Sequence, residues 1–224
     1  MRKEWKICLP FYKVAYSVFC VAILSVIRGV FFSYEVGAAL EPVMGLLAAV
    51  FCADTYVQEI TSRRSEVERL YPMKNRMRSI FRRMLIQESY LLLLAVLGYG
   101  LFYLFQRPMP LSEMEPEAQG EMELFLAYLG AILVTLVFWG MLAHTLACLG
   151  RSLWVGIGCS FLIWIAADST FGANILGKWN LFSYTFRNVE DSGDWSWLCG
   201  KLLCIAVCAG LAAVLPKIIQ KRGS

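Results

Sequence analysis

The sequence is poor in charged residues and in the side chains that catalysis and metal binding need. Charged residues make up only 17% of the 224 residues, and histidine occurs once, at His144. One histidine is too few for a two-histidine metal site or an HExxH metalloprotease. The full motifs GxSxG and GxxxxGK[ST] are also absent. We therefore expect no catalytic residues, no metal site and no cofactor bound directly by this chain, and any ATP-driven work would need a partner.

Cysteine pairs at metal-ligand or redox spacing are missing as well. None of the eight cysteines forms a CxxC pair, and all of them fall in or beside long apolar runs. Such positions are typical of small buried hydrophobic residues, so we expect neither a disulfide framework nor a metal cluster.

The chain is instead rich in apolar residues, which make up 58% of it, and its mean hydropathy is +0.58. A soluble domain of this size could not bury so much apolar surface. The composition predicts an all-α integral membrane protein, with one membrane domain covering residues 1–224. Six runs are long enough for helices that cross a bilayer core of about 30 Å. They are 12–33, 37–57, 85–105, 123–149, 152–170 and 196–216.

The first run differs from a cleaved signal peptide. It follows three basic residues, but it is longer than the usual h-region of about 7 to 15 residues. Its end, Phe31 to Glu35, lacks the small residues of a cleavage site. We expect this run to remain as the first span.

The distribution of positive charge predicts the orientation. Sixteen of the 21 lysines and arginines lie in the N-terminus, the second and fourth loops and the C-terminal tail. The positive-inside rule then places both termini in the cytoplasm. The net charge of +4 is explained by this topology and by attraction to anionic membrane lipids, so we expect no nucleic-acid partner.

Few ionisable residues occur within or near the predicted spans. They are Arg28, Glu41, Asp54, Glu88, Asp168 and Lys201. Most lie close to a span end, where a long side chain can reach the interface. For Asp54 and Glu88 the simple expectation is pairing with arginines of the second loop. For His144 a hydrogen bond between helices is favoured over a proton relay.

The second loop contains the most distinctive pattern. Its basic residues are Arg63, Arg64, Arg69, Lys74, Arg76, Arg78, Arg82 and Arg83. A helical turn that ends near Pro72 is predicted, followed by a helix that leads into the third span. Val67, Leu70, Tyr71 and Met73 form a small apolar knob among these charges. Contact with lipid headgroups explains the arginines but not the knob, so docking to a protein is favoured.

The aromatic-rich segment from Phe171 to Phe186, between the fifth and sixth spans, is the second candidate site. Its aromatic residues can rest at the lipid boundary and its glycines permit a bend, which favours an interfacial or re-entrant segment. Two roles remain open for Trp179, Phe182 and Tyr184. They either gate the extracellular side of a translocation path or only anchor the ends of the two spans.

Taken together, the layout resembles a permease subunit of a bacterial ABC-2 type ATP-binding-cassette transporter. A basic interfacial N-terminus precedes the first span, and the second loop reads Glu66-x-Glu68-x-Leu70-x-Pro72-x-x-x-Arg76. A tight basic turn, Leu149 to Ser152, joins the fourth and fifth spans, and a long amphipathic segment precedes the last span. In that family a glutamate followed by Leu-x-x-Pro marks the coupling helix, whereas here only Tyr71 separates Leu70 from Pro72.

The resemblance implies a function and partners. The chain would be the permease of an exporter in the bacterial cytoplasmic membrane, paired with a second permease copy or a paralogue. A separate ATPase subunit would bind ATP and Mg and would move the coupling helix. The residues implied in this coupling are Glu66, Val67, Glu68, Arg69, Leu70, Tyr71 and Pro72. The expected substrate is amphipathic, namely a drug, a lipid or an antimicrobial peptide.

Other classes of membrane protein have about the same size. The substrate-binding component of a vitamin importer also has about six spans, but it would dock its ATPase through small-residue helix faces rather than a charged loop. A non-transporting scaffold or immunity protein is a further alternative. An intramembrane enzyme is disfavoured by the single histidine and by the lack of paired catalytic acids.

Overall fold

A computed structural model describes residues 5, 7–61, 73–110, 120–187 and 195–222, with the backbone alone at 56–61, 73–75 and 221–222. This part of the chain is almost entirely helical. The helices are α1 (Phe11–Ile27), α2 (Ser33–Thr61), α3 (Met73–Gln106), α4 (Glu121–Gly150), α5 (Leu153–Asp168), α6 (Thr170–Leu176) and α7 (Trp197–Arg222). A short 3-10 turn, Gly177–Trp179, follows α6.

Four of the described helices are long and apolar enough to cross a membrane. These stretches are Ser33–Thr55 in α2, Arg76–Gln106 in α3, Glu121–Gly150 in α4 and Trp197–Gln220 in α7. A fifth candidate is α5 together with Thr170–Trp179, which meet at a bend of 74°. The protein is therefore a helical, multi-pass membrane protein with four or five candidate spans of this length.

α1 is shorter than the first run predicted from the sequence. It has 17 residues and ends at Ile27, six residues before the predicted end of that run. The end is stabilised by Gln106, the last residue of α3. Its Nε2 donates to the carbonyl oxygens of Ser25 and Arg28, both at 2.7 Å, and its Oε1 accepts from the amide of Val30. These bonds satisfy carbonyl groups that a helix end leaves without partners.

α2 is the most buried of the four long apolar helices. In its apolar stretch 78% of the residues are buried, against 17% in α7. Its most extensive contact is with α4, and it also packs against α3 and α5. Small residues allow this close packing: a Cβ atom on Gly45 would lie 2.8 Å from the Trp139 ring of α4. α2 therefore touches more of the structure than the peripheral helices do.

The chain turns back into the bundle after the 3-10 turn. Ser169 begins α6 by accepting a hydrogen bond from the amide of Gly172, and Gly177 ends α6 with a φ of +49°. Residues 180–185, called the return segment below, then pack inside the bundle. Their buried members are Asn180, Phe182, Ser183 and Tyr184.

Hydrogen bonds attach the return segment to α5 and α7. Asn180 Nδ2 donates to the carbonyl of Ala167 at 2.9 Å, and Ser183 Oγ donates to the carbonyl of Trp197 at 2.6 Å. Gly200 of α7 makes room for this contact, because a Cβ atom there would lie 2.1 Å from the Asn180 carbonyl oxygen. Since the Asn180 carbonyl oxygen and the Ser183 side chain block a methyl group there, the segment can pack this closely against α7 only where that helix has glycine.

We predict that Gly200→Ala lowers the stability of the purified protein by about 1–3 kcal/mol or more, the usual cost of overpacking. The matched control is Gly210→Ala on the same helix, where an added Cβ meets nothing within 4 Å. That change should be neutral or slightly stabilising because alanine favours helices. Thermal unfolding in detergent measures both variants. Equal melting temperatures would contradict the packing described here.

Candidate functional site

A buried ion pair lies beneath the return segment. It joins Glu41 of α2 to Lys201 of α7, and the two residues are 0% and 3% exposed. The Lys201 ammonium donates to Glu41 Oε1, to Thr135 Oγ1 at 2.8 Å and to the carbonyl of Leu181 at 3.1 Å. All three ammonium protons therefore have acceptors.

The second oxygen of Glu41 holds the return segment. Glu41 Oε2 accepts hydrogen bonds from the Thr185 amide at 3.0 Å and from Thr185 Oγ1 at 2.6 Å. Thr135 of α4 donates to the other oxygen, Oε1, at 2.8 Å. One carboxylate thus connects α2, α4, α7 and the return segment. Desolvation of both charges is costly, so the pair persists only because these hydrogen bonds accompany it.

α5 contacts Pro42, the residue that follows Glu41 in α2. Pro42 lies inside α2 and lacks an amide hydrogen, so the helix loses one of its regular hydrogen bonds there. Trp164 of α5 donates its indole hydrogen to the Pro42 carbonyl oxygen at 2.8 Å. The irregular turn of α2 at Glu41 and Pro42 is therefore supported from a further helix.

A cleft of about 290 Å³ adjoins the ion pair through Thr185. Its lining includes Arg28, Tyr34, Glu35, Tyr184 and Arg187. The Arg187 guanidinium lies over the Tyr184 ring, 4.2 Å from its centroid. The site combines fixed charges, aromatic faces and a cleft, which suits binding or gating. Within the described residues no group of three or more metal-ligating side chains is found.

A second buried polar cluster lies towards the other end of α2. Lys13 of α1 forms an ion pair with Asp54 at 2.7 Å and donates to the Phe51 carbonyl at 3.0 Å. Beside it, Thr55 Oγ1 donates to Gln87 of α3, whose amide nitrogen donates to the carbonyl of Cys8. These contacts fix the start of α1, and the residues just before it, against α2 and α3.

The predicted coupling residues, 66–72, lie outside the described residues. The three predicted gate residues are described, and the structure does not bring them together on one surface. Trp179 is 50% exposed, whereas Phe182 and Tyr184 are buried in the core. Phe182 stacks on Trp139, with ring centroids 5.4 Å apart, and Tyr184 packs edge-on against Trp197 at 5.5 Å. Phe182 and Tyr184 therefore do not rest at a lipid boundary.

The expected pairing of Glu88 with loop arginines needs correction, whereas for Asp54 it stays a prediction. Asp54 pairs with Lys13 from α1. Glu88 forms no ion pair or hydrogen bond with any described residue. The reason is geometric, because Glu88 lies in a groove lined by apolar side chains of α3, α4 and α7.

His144 is fully buried, and its Nε2 lies 3.7 Å from Cys148 Sγ, one turn further along α4. This contact joins two residues of the same helix, but the His144 ring also lies beside the backbone of Cys52 in α2, so the predicted hydrogen bond between helices is not contradicted. His144 lies about six turns of helix from the start of α4 and is not part of the Glu41 site.

The ion pair itself was missed by sequence reasoning. Glu41 and Lys201 are ionisable, but their positions near span ends match side chains that reach the interface. The sequence does contain a signal for this pair. Glu41 and Lys201 have opposite charges and lie four and five residues from the predicted starts of spans 37–57 and 196–216, and both spans begin on the same side of the membrane. Opposite charges at the same depth in the membrane predict an ion pair.

We predict that Lys201→Met destabilises the protein by about 3–5 kcal/mol, because it leaves the Glu41 carboxylate buried without its cation. The double variant Glu41→Gln with Lys201→Met should lose less than the sum of the single variants, since neither charge is then left alone. Thermal unfolding in detergent is measured for the wild type, for Glu41→Gln, for Lys201→Met and for the double variant. The four values give a double-mutant cycle. Lys178→Met, at an exposed lysine, is the control. Additive losses would show that the pair is not coupled.

Comparisons with known proteins identify no relative of this chain. No family model matches it, and neither a curated protein nor a solved structure does. Its function therefore has to be inferred from its own residues, above all from the two buried ion pairs on α2 and the loop that follows α2.

Proposed function

We propose that this chain is the membrane-spanning permease subunit of an ABC exporter in the bacterial cytoplasmic membrane. It would move an amphipathic substrate with energy from ATP that a separate ATPase subunit hydrolyses. In this arrangement α1, α2, α3, α4, the bent α5–α6 unit and α7 form six spans, and both termini are cytoplasmic. A second permease copy or a paralogue completes the transporter.

The observation that carries the proposal is the length of α2 and α3, the helices that flank the predicted coupling segment. α2 has 29 residues and α3 has 34, and they continue as helices to Thr61 and from Met73 on either side of residues 62–72. At 1.5 Å per residue they are about 44 and 51 Å long, more than a bilayer core of about 30 Å requires. A segment carried by two such helices would transmit a push from an ATPase directly into the bundle.

α2 also connects the two ends of the bundle. Near the coupling segment its Asp54 is bound to Lys13 of α1. About three and a half turns earlier its Glu41 is bound to Lys201 and to Thr185 of the return segment. A shift of α2 would therefore strain both buried pairs. This supports a gating role for the return segment, in which Tyr184 and Thr185 line the cleft while Phe182 anchors the segment in the core.

The charge distribution supports the orientation. Towards the coupling segment, α3 begins with Lys74, Arg76 and Arg78, followed by Arg82 and Arg83. Lysines and arginines accumulate on the cytoplasmic side of membrane proteins. The return segment and its cleft would then face the extracellular side, where an exporter releases its substrate.

We predict that Leu70→Ala with Tyr71→Ala weakens binding to the cognate ATPase by about thirtyfold or more, since a buried apolar anchor is often worth 2 kcal/mol or more. Glu66→Lys with Glu68→Lys should weaken it as well. Binding is measured with the permease in nanodiscs and the ATPase subunit that copurifies with it.

The matched control for the coupling variants is Phe171→Ala with Trp179→Ala, an exposed apolar pair in the α6 region and the adjoining 3-10 turn. This control should bind the ATPase as the wild type does. Wild-type affinity in the coupling variants, or a wild-type permease that binds no ATPase, would refute the proposal.

A further inference from the structure

Glu88 is an acidic residue of α3 that the ion pairs described above leave out. Glu41 and Asp54 each have a lysine partner, whereas Glu88 has no ion pair or hydrogen bond within the described part of the chain. Its side chain is partly buried, in the middle of a helix that is long enough to span the membrane. An ionised carboxylate in such surroundings is costly unless a cation accompanies it.

Two adjoining cavities meet at this carboxylate. They measure about 310 and 420 Å³, and Leu85, Glu88 and Val137 line both of them. The first extends between α3 and α4 to Leu133, and the second reaches Ile205 of α7. Their volumes lie in the range of sites that hold small organic molecules, which is roughly 300–1,000 Å³.

The groove is accessible from the side of the bundle. Leu85, Leu133 and Ile205 on its walls are 63%, 50% and 50% exposed. In a membrane, such side chains face lipid or another apolar molecule. A ligand could therefore enter from the bilayer without crossing the polar cleft at the return segment.

Gly140 of α4 has no side chain, which leaves room beside the Glu88 carboxylate. A Cβ atom on Gly140 would lie 3.0 Å from Glu88 Oε1, so any larger residue there would press on this oxygen. Val137, one turn earlier on α4, lines both cavities. The carboxylate thus sits against the wall of the groove, and the apolar body of a ligand can occupy the space on either side.

We propose that this groove binds a lipophilic monocation, such as an amine with an apolar body, which pairs with Glu88 and enters from the membrane. The cation would offset the cost of the buried carboxylate, and the apolar walls would take up the rest of the ligand. Only the role of this ligand as a transported substrate rests on the proposed function. Binding is a property of the permease alone.

The test uses the purified full-length chain in nanodiscs, without an ATPase. Tetraphenylphosphonium is the cationic probe, and tetraphenylborate is an anionic probe of similar shape. Equilibrium dialysis should give saturable binding of the cation to the wild type. Glu88→Gln keeps the side-chain shape and should weaken this binding by about tenfold or more, because it removes the partner of a desolvated charge. It should not weaken binding of tetraphenylborate.

Glu123→Gln is the matched control, since Glu123 is an exposed glutamate in the first turn of α4. Its affinity for the cation should equal that of the wild type. Val137→Phe tests the same site without a change of charge, because the larger ring would fill space in both cavities and should weaken binding of the cation. This variant keeps the proposal testable if Glu88→Gln does not fold.

Three results would overturn the proposal. The first is equal affinity for the cation in the wild type, Glu88→Gln and Val137→Phe. The second is an equal loss of affinity in Glu123→Gln. The third is a wild type that binds no cation and whose oligomeric state changes with Glu88→Gln, because the groove would then be an interface between helices of two subunits. None of these results depends on ATPase binding, so this proposal and the transporter assignment can fail separately.

Discussion

The structure depends on the need to bury Glu41 and Lys201 together. Neither charge is stable alone in an apolar interior, and the pair needs further hydrogen bonds to offset its desolvation. These bonds come from Thr135 on α4 and from Leu181 and Thr185 on the return segment. The helices α2, α4 and α7 and the return segment must therefore all be in place before the ion pair has its full set of hydrogen bonds. This requirement favours one arrangement of the return segment over the many that its aromatic composition would permit.

The position of the ion pair on α2 gives it a role beyond stability. α2 is the most buried of the four long apolar helices, and it carries a second buried acid, Asp54, near the end that leads to residues 62–72. In the proposed transporter a partner would act on that loop, and α2 would transmit the movement to both ion pairs. Glu88 differs from these acids because the described residues offer it no partner. It is therefore better suited to a ligand than to a structural contact.

The sequence predicted the helices but only part of their arrangement. Long apolar runs identify α2, α3, α4 and α7 because a bilayer-spanning helix needs about 20 consecutive apolar residues. The end of α1 could not be predicted, since it depends on Gln106, 78 residues away from Arg28. The burial of Phe182 and Tyr184 was missed for a similar reason. Aromatic residues near glycines suit an interface and a core equally, and contacts with Trp139 and Trp197 decide between the two.

Hydrogen–deuterium exchange in the return segment tests the central claim most directly. The Thr185 amide donates to Glu41 Oε2, so its protection reports whether the ion pair holds the segment. In Lys201→Met we expect faster exchange across residues 180–187, with protection in the middle of α3 unchanged. Lys178→Met should leave both regions as in the wild type. Unchanged protection of residues 180–187 in Lys201→Met would contradict the account, because the segment would then be held by its other contacts alone.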